Sequence, residues 1–144
     1  MPYCDQTLYI ARFGERELID LCDRVNQPPV AMDADADAVF DRAARAADSV
    51  IDGYLGVKYA TPISPPTEGV LDMAADLTRD RLHIYVEPDH AVRKRAAEHL
   101  ALLRDIARGM AKLPGVAGVE PAATAGGGVQ WQSGERVFAR DQDY

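Results

Sequence analysis

Cysteine is scarce: Cys4 and Cys22 are the only two in 144 residues. They lack metal-ligand spacing and are read as free thiols, buried as reduced cysteines usually are, with a disulfide as the minor reading. Aromatic residues make up only 7% of the chain while alanine is abundant, which favours close-packed helices over a β-sandwich. No apolar run approaches the roughly 20 residues that span a bilayer. The opening MPYCDQTLYIARFGE has neither the basic nor the apolar region of a secretory signal, so a cytosol-like compartment is expected. Catalytic signatures are missing too: there is no G-x-S-x-G and no Cys/His signature. Gly126-Gly127-Gly128 has neither the lysine nor the following helix of a phosphate-binding loop. Positive charge is in deficit, with 16 Lys and Arg against 23 Asp and Glu and a net charge of -7. Nucleic-acid affinity comes largely from basic side chains that neutralise phosphates. Tight DNA binding is therefore not the default, although a local basic patch stays open. An acidic surface that DNA passes without sticking fits equally well.

What the chain does have is helical periodicity. Asp5 can cap a short helix from Gln6 to Arg12 or Phe13, stopped by Gly14, and a second short helix runs from Glu15 to Cys22 with Leu18, Ile19 and Leu21 at helical spacing. Asp23 to Met32, with Pro28 and Pro29, reads as an ordered loop. Asp33, Asp35 and Asp37 then open a long helix to about Leu55, where acidic residues complement the helix dipole. Its stripe is Val39, Ala43, Ala46, Val50 and Tyr54, widened by Phe40, Ala47, Ile51 and Leu55. Pro62, Pro65 and Pro66 make a rigid connection. A fourth helix spans Thr67 or Glu68 to Tyr85, with Val70, Leu71, Ala74, Leu77, Leu82 and Tyr85 inward. After Pro88, Asp89 is expected to cap a fifth helix to about Arg108, with Val92, Ala96, Leu100, Leu103 and Ala107 inward and Gly109 closing it.

The fold class that follows is mainly all-α: an antiparallel bundle of three long helices, with two short ones folded against one end. Residues 1–113 form the helical domain and 114–144 a flexible linker and docking arm. In the arm, VQWQ-SG-ERVF reads as a β-hairpin with Val129, Trp131, Arg136 and Phe138 on one side. Two lone strands are marginal in water, so the hairpin must dock. The glycine-rich tether before it favours a neighbouring chain.

The remaining motifs are weighed against plainer roles. Asp33-x-Asp35-x-Asp37 resembles the start of a calcium loop, but Ala38 and Ala44 stand where glycine and glutamate are needed, so helix capping is the reading. His90 and His99 lie two and a half turns apart, too far to share an ion, and His83 reads as solvated or at a core edge. Asp48 and Asp52 read as interface or salt-bridge residues with Arg45, Arg79 and Arg81 as partners. LYIARF-G-ERELIDLC has the outline of a helix-turn-helix, yet Glu15, Glu17 and Asp20 outnumber Arg16 on its second helix. A small DNA-binding regulator is the alternative function.

Five segments in collinear order resemble one family. They are YCDQTLYIARFGERELIDLCDR with its R-F-G turn, ADSVIDGYLGVKYATPI, LTRDRLHIY, HLALLRDIARG and the closing SGERVFARD. They are similar to the head–tail connector, or head-completion, proteins of Mu-like tailed bacteriophages. The stretch Gly115 to Gly128 is of a kind that varies in length. The resemblance implies a non-enzymatic virion protein at the head–tail junction, present in the host cytoplasm during assembly. It implies a ring of identical subunits as its own first partner, then the portal protein and tail or tail-terminator proteins, with genomic DNA passing without specific binding. No cofactor, metal or membrane contact is implied. The charged flanks Arg42, Arg45, Asp48, Arg93, Lys94, Arg95 and Glu98 would pair around the ring. Oligomer or partner contacts are expected at Val129, Trp131, Arg136, Val137, Phe138, Arg140 and Asp141 of the arm and at Arg45, Asp48 and Asp52 of the body.

Overall fold

A computed structural model describes residues 1–118. Five helices make up all the regular structure among them: α1 (Gln6–Phe13), α2 (Glu15–Cys22), α3 (Ala34–Leu55), α4 (Glu68–Leu82) and α5 (Ala91–Arg108). Their ends follow local chemistry. The Asp5 carboxylate accepts from the Leu8 amide at 2.7 Å and Asp33 from Ala36 at 2.8 Å, so each supplies an acceptor that the helix start lacks. Gly14 separates α1 from α2 at φ +94°. Nothing crowds the position a Cβ would take there, so backbone conformation alone demands glycine. Gly109 ends α5 in the left-handed region at φ +80°, with the Met110 amide reaching back to the Asp105 carbonyl at 2.8 Å.

Two helix ends differ from expectation. α4 stops at Leu82, three residues before Tyr85, because Arg93 of α5 takes over its last carbonyls. That guanidinium donates to the Asp80 and His83 carbonyls at 3.2 and 2.8 Å and to the Asp80 carboxylate at 2.7 Å. Tyr85 is consequently 96% exposed rather than inward. At α5 the cap is His90, not Asp89: its Nδ1 accepts from the Val92 amide at 3.3 Å, while the turn from Glu87 to His90 leaves Asp89 outside.

α3, α4 and α5 pack pairwise on one another, and α2 packs on both α1 and α3. The pairs Asp80–Arg93 and Asp76–His99 fix α4 and α5 as antiparallel. The core centres on α4, which buries Val70, Met73, Ala74, Ala75, Leu77 and Leu82. Alanines 43, 44 and 47 on α3 and Ala96 on α5 are also buried and let the backbones approach closely. On α3 the buried row runs through Phe40, Ala47, Ile51 and Leu55, while Val39, Ala46, Val50 and Tyr54 are only half-buried. The stripe is thus rotated toward its expected flank, because α1 and α2 cover that side. Tyr9 sets its ring edge-on to Phe13 and Phe40, at 4.9 and 5.7 Å between centroids.

Two tyrosine hydroxyls fasten the irregular segments. Tyr3 Oη donates to Asp52 at 2.5 Å and accepts from the Ile63 amide at 2.7 Å. Tyr59 Oη accepts from the Leu113 amide at 2.8 Å. In the loop after α2, the Asp23 carboxylate accepts from the Val30 and Asn26 amides and from the Asn26 side chain. Those hydrogen bonds hold its acid well below the usual carboxylate range. Packing also continues past the boundary read at residue 113, for Val116 lies against the core. The expected hairpin at 129–138 lies outside the described residues. Among the described residues no helix is long and apolar enough to cross a membrane.

Replacing Tyr3 by Phe keeps the ring and deletes both bonds of its hydroxyl, leaving the Ile63 amide without a partner. Stability should fall by about 1–3 kcal/mol, read as a lower urea midpoint with an unchanged slope. An unchanged midpoint would show that the hydroxyl does not fasten this segment.

Candidate interaction surface

A helix buried on nearly every side cannot hide charge without a partner, and α4 carries Asp76, Arg79 and Asp80. Each is answered by a different neighbour. Arg79 forms a two-pronged pair with Glu17 of α2, with Nε and Nη2 at 2.7 and 2.8 Å from the two carboxylate oxygens. Its guanidinium also lies 4.4 Å above the centre of the Phe13 ring. Burial alone would raise the Glu17 acid, but the Arg79 fork overrides it and draws it below its ordinary value. Asp76 meets His99 at 2.8 Å and Arg95 at 3.4 Å, both from α5. His83 sits 3.7 Å from Glu17 and 5.9 Å, ring to ring, from His90. Burial favours its neutral form. These groups converge as structural ion pairs and offer no nucleophile: burial pushes the Cys4 and Cys22 thiols up to about 12 and about 11, and both are free and buried.

The molecule opens outward around the connection between α4 and α5. Ile84, 49% exposed, borders three open grooves. One runs toward Val50, Leu77 and Leu100, with Asp80 and Arg93 at its side. Another lies between this connection and the loop after α2, bordered by Leu21, Arg24, Tyr85 and Val86. The third has an apolar floor of Val39, Ala43, Ala46 and Leu82, rimmed by Arg24, Arg42 and Arg81. All three arginines are exposed. None is ion-paired among the described residues, whereas Arg12, Arg16, Arg79, Arg93 and Arg95 all are.

The residues singled out from sequence fall as follows. Arg45 is exposed on α3. Asp48 and Asp52, expected opposite arginines, bind the N-terminal segment instead. Both Asp48 oxygens accept from the Tyr3 amide at 3.2 Å, and Asp52 takes the Tyr3 hydroxyl. Arg79 is committed to Glu17 and Arg93 to Asp80 within the subunit, which leaves Arg42, Arg45, Lys94 and Glu98 exposed on the flanks. Asp33 is a helix cap, and Asp37 accepts from Gln6 at 2.9 Å. On α2 the sole base, Arg16, pairs with Asp20 at 2.7 Å, so the face a DNA reader would use carries no unpaired cation. Val129, Trp131, Arg136, Val137, Phe138, Arg140 and Asp141 lie outside the described residues. Sequence reasoning missed the ion pairs of α4 and the arginine-rimmed groove. The available signal was α4 itself: apolar residues on all its faces mark a buried helix, whose charges must then be paired.

A family model described as Bacteriophage Mu, Gp36 matches residues 3–132. The match ends before the segment Ser133–Asp141 that also carried the resemblance. No curated protein matches the chain.

Burial raises the Asp48 acid to about 6, and the neighbouring Asp52 charge adds to the rise. An unfolded aspartic acid titrates near ~3.9, so between these values the folded chain binds more protons than the unfolded one. Asp48 should therefore subtract stability as pH rises from about 4 to about 6, a decline that the lowered acids of Asp23 and Glu17 oppose. Asp48→Asn cannot ionise and keeps an acceptor for Tyr3, so it should flatten that decline in melting temperature. A variant that retains the wild-type slope would assign the titration to another group.

Proposed function

The chain belongs to the bacteriophage Mu Gp36 family, and on that premise we propose that it is a non-enzymatic virion protein, a ring-forming connector that joins the portal of the DNA-filled head to the tail. The observation that carries this reading is apolar surface left uncovered at one end of a body whose buried charges are otherwise matched. Ile84 is 49% and Tyr85 96% exposed beside open grooves. Contiguous apolar surface of this kind marks contact with another protein. The exposed charges Arg42, Arg45, Lys94 and Glu98 suit the polar rim of a head-to-tail contact between identical subunits. The arm residues Val129, Trp131, Arg136, Val137, Phe138, Arg140 and Asp141, with Asp48 and Asp52 anchoring the N-terminal segment beside Arg45, complete the surfaces that meet a neighbouring subunit, the portal or a tail protein. A net charge of -7 suits a channel through which DNA slides without binding. The helix-turn-helix outline lends the DNA-reading alternative little, because the one base on α2 is paired with Asp20.

A phage deprived of this protein should accumulate DNA-filled heads and finished tails that remain separate. Adding the purified chain should join them, with labelled protein at the junction in electron micrographs. Normal particle yield without it, or label elsewhere in the particle, would refute the connector reading.

A further inference from the structure

The arginine-rimmed groove is unusual for its setting. On a chain of net charge -7, Arg24, Arg42 and Arg81 converge on one apolar strip that includes Ala43, Leu82 and Ile84. No carboxylate lines this groove among the described residues, so its three cations repel one another, a cost that a bound acidic group would relieve. The apolar floor argues against bare phosphate and for a peptide that brings aromatic side chains as well as acids. Arginine also packs well over aromatic faces, as Arg79 does over Phe13 in this molecule.

The chain contains such a peptide. Residues 119–144 carry Glu120, Glu135, Asp141 and Asp143 against only Arg136 and Arg140, together with Trp131, Phe138 and Tyr144. We infer that the groove rimmed by Arg24, Arg42 and Arg81 receives the Trp131–Asp143 segment of a neighbouring copy. The described chain leaves the body at the far end from this groove. Gly115 lies beside Thr67, the residue before α4, and Gly118 beside the Lys58 carbonyl, whereas Arg81 and Leu82 close α4. The 15 residues of α4 place the two ends about 22 Å apart. The 12 residues between Gly118 and Trp131 let the chain reach at most about 45 Å, enough to cross to the next subunit. A tail leaving one end and a groove at the other are two different surfaces, which is what a head-to-tail contact needs in order to close a ring. This inference rests on the connector reading only for the presence of neighbouring copies.

Trp131 is the only tryptophan, so its emission reads the docking in the full-length protein. With rising concentration the emission should shift to shorter wavelength in step with association seen by sedimentation. Arg42→Glu combined with Arg81→Glu should abolish the shift and weaken association at least ten-fold, with unchanged helical circular dichroism. Reversing the acids in the same chain (Asp141→Arg with Asp143→Arg) should restore part of both. No shift at any attainable concentration would overturn the inference, as would a shift that ignores concentration, which would mean docking on the same chain. So would a shift that survives arginine reversal, or arginine-dependent retention of duplex DNA with no change at Trp131. The connector reading fails separately. Protein found at the junction with Trp131 in water sinks only the docking, and docked Trp131 in a protein absent from the junction sinks only the connector.

Discussion

The fold depends on burying α4, a helix that carries charge on the faces it hides. Apolar burial supplies most of the driving force, but it can act on α4 only if Asp76, Arg79 and Asp80 are neutralised where they lie. Glu17 of α2 and Arg93 and Arg95 of α5 do this, with His99 hydrogen-bonded to Asp76 as well. Each pair works at one register of helix against helix, so the ion pairs specify how α2 and α5 seat on α4, while the alanines of α3 permit the close approach. Arg93 has a double part, since the same guanidinium that neutralises Asp80 also ends α4 and turns the following residues outward.

That outward turn connects packing to the proposed role. Had α4 continued to Tyr85, its last turn would have needed cover from its own bundle. Ending it at Leu82 instead leaves Ile84 at the meeting point of three grooves and Tyr85 beside one of them. At the other end of the body, Tyr3 and Tyr59 pin the N-terminal segment and the chain after α5. The proposed connector role calls for an interior closed within each subunit and an exterior that awaits its neighbours.

Amphipathic spacing and capping made the helices legible from residues alone. Asp5, Gly14, Asp33 and Gly109 act locally, on backbone groups within a few positions, and their roles could be read without knowing what lies across the core. The end of α4 and the cap of α5 could not be read this way, because Arg93 acts across thirteen residues and His90 depends on the turn that precedes it. Asp48 and Asp52 were legible as chemistry-bearing carboxylates, yet their partner is Tyr3, more than forty positions away, rather than a nearby arginine. The same distance hid the arginine-rimmed groove, whose three cations come from α3, the loop after α2 and the end of α4.

The amino-acid sequence by itself determined the number, type and approximate limits of the helices and the acidic balance. These follow from short-range sterics, hydrogen bonding and composition, which each stretch of chain carries with it. Tertiary structure alone decided which carboxylate meets which cation, which face of α3 is innermost, and where apolar surface is left open. Those outcomes depend on distances between residues far apart in sequence, and such distances exist only once the helices have packed.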